Sequence, residues 1–139
     1  MFDKVDAVVE LASWRGPAER EYPGMNVKNS NYYGFQWDLM APSQAAFNQI
    51  WVIAANAVGT QQRGNYKFWG GSGVWAPSGL ELIQASNDSQ ELIVVHNLDI
   101  KGQTKFEHDD FFYYDDFIKI YDPIMDKRSF TRMNGDDDN

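Results

Sequence analysis

Gln49-Ile50-Trp51-Val52-Ile53-Ala54-Ala55-Asn56-Ala57-Val58-Gly59 leads through a polar loop, Thr60 to Lys67, into Phe68-Trp69-Gly70-Gly71-Ser72-Gly73-Val74-Trp75. This stretch decides the fold. Ile50 to Ala55 carries no charge and is rich in β-branched and aromatic side chains, which suits a strand covered on both faces. The second apolar run breaks at Ala76-Pro77-Ser78-Gly79, a turn with proline early and glycine last. Leu80 to Ile83 then returns as a strand. Two buried strands joined through a glycine-lined, hydroxyl-bearing corner form a scaffold for a site.

Upstream, Val5 to Leu11 reads as a strand that starts almost at the first residue, which hints at something missing before Met1. It ends at Ala12-Ser13-Trp14, where a hydroxyl and a large ring emerge together. In an open α/β sheet, ligands sit just past the carboxyl ends of strands. Gly16 to Gly34 shows neither period and reads as an extended surface loop. From Phe35 to Asn48 the apolar positions Phe35, Leu39, Met40, Ala46 and Phe47 fit a helix facing a sheet, with Pro42 kinking or restarting it. A helix running straight into a buried strand predicts that Val5–Leu11 and Ile50–Ala55 are sheet neighbours. Glu91 to Leu98 reads as a further strand. After Asp99 the pattern dissolves into an acid-studded tail with aromatics from Phe111 to Tyr121.

The chain has 139 residues, 43% of them hydrophobic and 15% aromatic, enough for one domain with a packed core. No apolar run reaches the roughly 18 residues of a membrane span, and the start lacks a signal peptide's regions. The expectation is a cytoplasmic, soluble protein without a membrane partner. A net charge of −8 argues against nucleic acid as a partner. There are no cysteines, which excludes disulfides, thiolate metal sites and cysteine nucleophiles within these residues.

Two histidines are present. His96 lies within the expected 91–98 strand, where a surface or hydrogen-bonded role outweighs that of a catalytic base. His108 with Asp109, Asp110, Asp115 and Asp116 suggests a metal site only superficially. These acids lack the glycine-punctuated spacing of a calcium loop, so a solvated acidic face is expected and no metal. Asn56 reads either as a pocket residue or as a loop asparagine holding the turn into Gly59. Gly70-Gly71-Ser72 reads as a tight-packing corner.

Taken in order, these pieces resemble the carbon–nitrogen hydrolase (nitrilase/amidase) superfamily, specifically its carboxyl-terminal half, from about Val5 to Asp99. The elements that carry the resemblance are the strand ending in Ala12-Ser13-Trp14 and the helix ending in Ala45-Ala46-Phe47-Asn48-Gln49. Ala55-Asn56-Ala57-Val58-Gly59, Phe68-Trp69-Gly70-Gly71-Ser72, Ala76-Pro77-Ser78-Gly79 and Ile93–Leu98 closing on Asp99 complete the set. The chain departs from the family's pattern at Gln44 and Phe47, where an arginine and an acidic residue are common.

The resemblance implies the carboxyl-terminal portion of a four-layer α-β-β-α sandwich, incomplete here. Residues 1–100 would form half of a carbon–nitrogen hydrolase domain and residues 101–139 an acidic, aromatic tail. It implies hydrolysis of non-peptide carbon–nitrogen bonds in an amide or nitrile by a glutamate, a lysine and a cysteine, without a cofactor. None of those three catalytic positions lies in this chain, so no catalytic residue is assigned. The expected pocket residues are Ser13, Trp14 and Asn56. Homo-oligomerisation or a complementing amino-terminal half is the expected partnership. The alternative is a non-catalytic interaction module, or an aromatic-lined carbohydrate-binding module using Trp69, Trp75 and Tyr66.

Overall fold

The computed structural model describes residues 5–110. In chain order the elements are β1 (Ala7–Ala12), β2 (Arg20–Tyr22), β3 (Val27–Asn29), α1 (Tyr32–Asn48) and β4 (Trp51–Asn56). Then follow β5 (Thr60–Gln61), β6 (Tyr66–Lys67), β7 (Gly73–Trp75), β8 (Glu81–Gln84) and α2 (Ile100–Asp110). This is a mixed α/β chain with one principal sheet in the order β1-β4-β7-β8.

The expected neighbours are neighbours. β1 and β4 pair in parallel, from Ala7 opposite Trp51 to Ala12 opposite Asn56, with α1 in the crossover. β4 pairs antiparallel with β7, and β7 with β8. The β7–β8 connection is the Ala76–Gly79 turn, closed by the Gly79 N–H donating to the Ala76 carbonyl at 2.8 Å. Gly79 takes φ +83°, a conformation that costs an L side chain but not glycine.

Side chains alternate across β4, so the sheet has two apolar faces. Val52, Ala54 and Trp75 pack with Trp37, Ala41 and Ala45 of α1 on one face. Trp51, Val74 and Ala76 pack on the other with Ala7, Ile53, Leu98 and Ile100. There the indole N–H of Trp51 donates to the Thr104 hydroxyl at 3.0 Å, which fastens α2 to the sheet.

Five sequence-based expectations are corrected. The 16–34 segment is not wholly loop: it contains the β2–β3 hairpin, and α1 begins at Tyr32. The face of α1 turned to the sheet carries Gly34, Trp37, Ala41 and Ala45, at a 3–4–4 spacing. Phe35, Leu39, Met40 and Phe47 lie exposed instead. Small residues let the helix backbone approach the sheet closely, and Trp37 fills what remains, so the largest apolar residues are the outer ones. Pro42 lies inside one continuous helix. Residues 91–98 pair with no strand; they run as irregular chain past the second face of the sheet. The stretch after Asp99, expected to lack a pattern, is helical from Ile100 to Asp110 as α2. The Phe111–Tyr121 aromatics lie outside the described residues.

The second face is only partly covered. Register places Val9, Ile53, Val74 and Ile83 in one row across all four strands. Val9 is 64% exposed, and Leu11, two residues on along the same face, is 83% exposed. No helix of the described residues is long and apolar enough to cross a membrane.

Candidate functional site

The carboxyl ends of the parallel strands β1 and β4 lie side by side, and the chain past each is locked to the other. The backbone N–H of Trp14 donates to Asn56 Oδ1 at 2.7 Å, and Asn56 Nδ2 donates to the Gly70 carbonyl at 2.8 Å. The Asn56 N–H donates to the Ser72 hydroxyl at 2.9 Å. Main-chain bonds repeat the theme: Ala57 N–H to the Ala12 carbonyl, Trp69 N–H to the Trp14 carbonyl, and Gly70 N–H to the Ala57 carbonyl, each at 3.0 Å. One amide side chain therefore ties three segments. Buried at 8% exposure, it has both its oxygen and its nitrogen committed, as a buried amide must.

The Gly70–Gly71 corner makes this knot possible. Both residues have positive φ, +69° and +65°. A Cβ on Gly70 would stand 2.9 Å from the Asn87 Cα and carbonyl oxygen. From the other side Trp37 reaches in, its indole N–H donating to the Gly71 carbonyl at 2.9 Å. Helix, corner and both strand ends are thereby held in one geometry.

Trp14 is half-buried. Its ring lies 6.1 Å from that of Trp37, and its indole N–H donates to the Tyr33 carbonyl at 2.7 Å. Ser13 beside it is exposed. The structure thus joins Trp14 to Asn56 and leaves Ser13 at the surface of the same strand end. A groove of about 660 Å³ lies elsewhere, on the second sheet face between β4, β7 and the 91–98 segment. Ile53, Val74, Ile93 and Leu98 are among its lining. Asn56 and Ser72 instead border a small hollow of about 70 Å³ with Ser86, Ser89 and Glu91. Ser13 and Trp14 line neither.

An arginine–tyrosine cluster escaped the sequence reading. The Arg15 guanidinium lies 5.6 Å from the Tyr33 ring centre and 5.3 Å from that of Tyr66, while Arg20 lies 5.0 Å from Tyr32. Tyr22 packs edge-on to Tyr32, and Tyr32 to Tyr33. The Tyr22 hydroxyl is raised above its ordinary value of 10.0, first by its hydrogen bond with Tyr32, with Arg20 opposing. The doublet Tyr32-Tyr33 was visible in the sequence. Its pairing with arginines from a strand end and a hairpin was not, because it depends on tertiary placement.

Among the described residues no group of three or more potential metal ligands converges, and Asp115 and Asp116 of the acidic stretch around His108 lie outside those residues. His108 Nε2 lies 2.9 Å from the Gln49 carbonyl, and Lys105 pairs with Asp109. Of the three rings expected of a carbohydrate-binding face, Trp75 is 2% exposed, and the indole N–H of Trp69 donates to Asp38.

Comparison with known proteins gives a consistent result. A family model described as Carbon-nitrogen hydrolase matches residues 22–103. A curated relative from Schizosaccharomyces pombe, named Probable nitrilase C965.09, is 28% identical over 86 residues, which is 62% of this chain and 30% of the relative. The solved carbon-nitrogen hydrolase from Helicobacter pylori G27 is 18% identical and superposes with a TM-score of 0.53, over 84% of this chain and 40% of that one. Nit3 of Saccharomyces cerevisiae, a member of branch 10 of the nitrilase superfamily, is 28% identical, with a TM-score of 0.34 over 39% of this chain and 20% of its own. The chain therefore spans less than half the length of each of these relatives.

Proposed function

Because the chain belongs to the carbon–nitrogen hydrolase family, we propose that it forms one wall of a site that hydrolyses a non-peptide amide or nitrile bond. The observation that carries this reading is the Trp14–Asn56–Gly70 knot at the carboxyl ends of two parallel strands, where α/β sheets hold ligands. Trp14 and Ser13 face the substrate in this reading, and Asn56 positions them. The attacking group is a thiolate that forms a covalent intermediate later released by water. These 139 residues contain no cysteine, so the sulfur, with its glutamate and lysine, is supplied by polypeptide outside them. No cofactor takes part.

The same partner would cover the second sheet face and complete the layered sandwich. The exposed row from Val9 and Leu11 to Ile83 supports that reading, since apolar surface crossing a whole sheet favours association. That partner is either a complementing amino-terminal half or, through self-association, a second copy.

Ammonia release from a panel of amides and nitriles tests the proposal. The 139-residue chain alone is expected to release none above a blank. Adding a polypeptide that carries the glutamate, lysine and cysteine is expected to start turnover. Release by the chain alone would overturn the assignment of the nucleophile.

A further inference from the structure

Residues 91–98 have a strand's composition without a strand's partner. Leu92-Ile93-Val94-Val95 is charge-free and mostly β-branched. Yet no backbone N–H or C=O from Leu92 to His96 hydrogen-bonds to another described residue. The run is tethered at both ends. The Glu91 carboxylate accepts from the Ser86 N–H at 3.0 Å and from the Ser89 hydroxyl at 3.2 Å. At the other end, Leu98 and Ile100 pack against the cluster of Trp51, Val74 and Ala76. Between the tethers Ile93 and Val95 line the groove on the second sheet face, while Val94 does not and is 58% exposed; Leu92 is 88% exposed. Asn97 takes φ +57°, which ends the run open to pairing at His96. Unpaired main chain held in place is a template for another strand, and the fixed ends lower the entropy cost of adding one.

We infer that residues 92–96 are a dimer edge, pairing antiparallel with the same residues of a second copy about a two-fold axis at Val94. A two-fold axis through an antiparallel ladder sets one residue opposite itself. Centring on Val94 puts Ile93 opposite Val95 of the second copy and Leu92 opposite His96 of the second copy. β-Branched side chains then meet each other and no like charges face across the ladder. Centring on Ile93 would instead set Glu91 opposite Val95. Charge also selects this place. Two chains of net charge −8 repel, so they meet where charge is missing, and Leu92 to Leu98 contains no acid, lysine or arginine. The inference uses main chain at an edge and does not rest on the hydrolase reading.

The test uses the 139-residue chain, which contains no cysteine and so gives no background cross-linking. Val94→Cys brings two thiols together across the axis, with Cα atoms about 5 Å apart. Leu92→Cys leaves its two copies about 13 Å apart, four residues along the ladder. Under mild oxidation Val94→Cys is expected to form the disulfide dimer at least roughly tenfold faster, although Leu92 is the more exposed position. Sedimentation velocity of the unaltered chain is expected to show a concentration-dependent dimer, and Val94→Pro is expected to abolish it. Because the Val94 N–H has no partner in the single chain, that variant should keep its Trp37 and Trp51 indole NMR signals. Equal cross-linking rates, a dimer that survives Val94→Pro, or a monomer throughout each overturns the inference. A chain that is monomeric alone, yet binds a complementing amino-terminal half only while Val94 is intact, gives the edge to that half and overturns self-pairing.

Discussion

The Trp14 backbone N–H donates to the Asn56 side-chain oxygen at 2.7 Å across 42 residues of chain, and the other end of the same amide holds Gly70. The ends of the two parallel strands are therefore joined by one buried side chain as well as by the sheet ladder. For the proposed site this rigidity matters, because a wall residue displaced by about 1 Å loses its ligand geometry.

Asn56→Ala leaves a buried N–H and a buried carbonyl without partners, and it is expected to destabilise the fold by about 3 kcal/mol. Asn56→Asp keeps the acceptor for Trp14 but turns a buried carboxylate oxygen on the Gly70 carbonyl, so it should cost at least as much. Urea unfolding followed by tryptophan fluorescence measures both. A loss below about 1 kcal/mol for the alanine variant would mean the knot is not rigidly held.

Gly70→Ala meets backbone, not a flexible side chain, at 2.9 Å, and its φ of +69° strains any L residue. The expected cost is about 2–4 kcal/mol from positive φ and overpacking together. A thermal scan should show a clear fall in Tm. An unchanged Tm would mean that the Asn87 turn gives way freely.

Trp51→Phe keeps most of the buried ring but removes the donor to Thr104 and Ile100. Amide hydrogen exchange in α2 is expected to accelerate well before that in β4, because the lost bonds belong to the helix's attachment. Equal acceleration in both would show that α2 and the sheet open as one unit.

Leu11→Lys alters a side chain that is 83% exposed, so monomer stability should change by no more than about 0.5 kcal/mol. Association through the second sheet face should weaken sharply, since a charge would be buried there. Sedimentation velocity at several concentrations, alone and with a complementing half, measures this. Undiminished association would place the partner on another surface.

Tyr22 sets the alkaline behaviour of the hairpin. Its hydroxyl is raised above 10.0, chiefly by its hydrogen bond with Tyr32, so the folded state keeps this proton longer than the unfolded chain. The stabilisation is present below the unfolded value and is lost as pH rises through the folded one, past about pH 10. Tyr22→Phe should flatten the fall of unfolding midpoint with pH in that range. An unaltered slope would assign the effect to another tyrosine.

Local patterns in the chain alone determined the charge-free β4 strand, the turn at Ala76–Gly79, and the parallel pairing of β1 with β4 through a helix. Each follows from short-range apolar runs and from turn residues whose φ is prescribed. The ordered motifs from Ala12-Ser13-Trp14 to Gly70-Gly71-Ser72 also carried the family, which the match over residues 22–103 bears out. Only tertiary structure decided which face of α1 is inside, because Gly34, Ala41 and Ala45 win the sheet by being small while Phe35 and Phe47 are left out. It also decided that residues 91–98 pair with no strand but run past the second sheet face, where Ile93 and Leu98 line the groove beside Ile53 and Val74. Last, it brought Arg15 beneath Tyr33 and Tyr66 from three distant segments, a convergence that no spacing along the chain encodes.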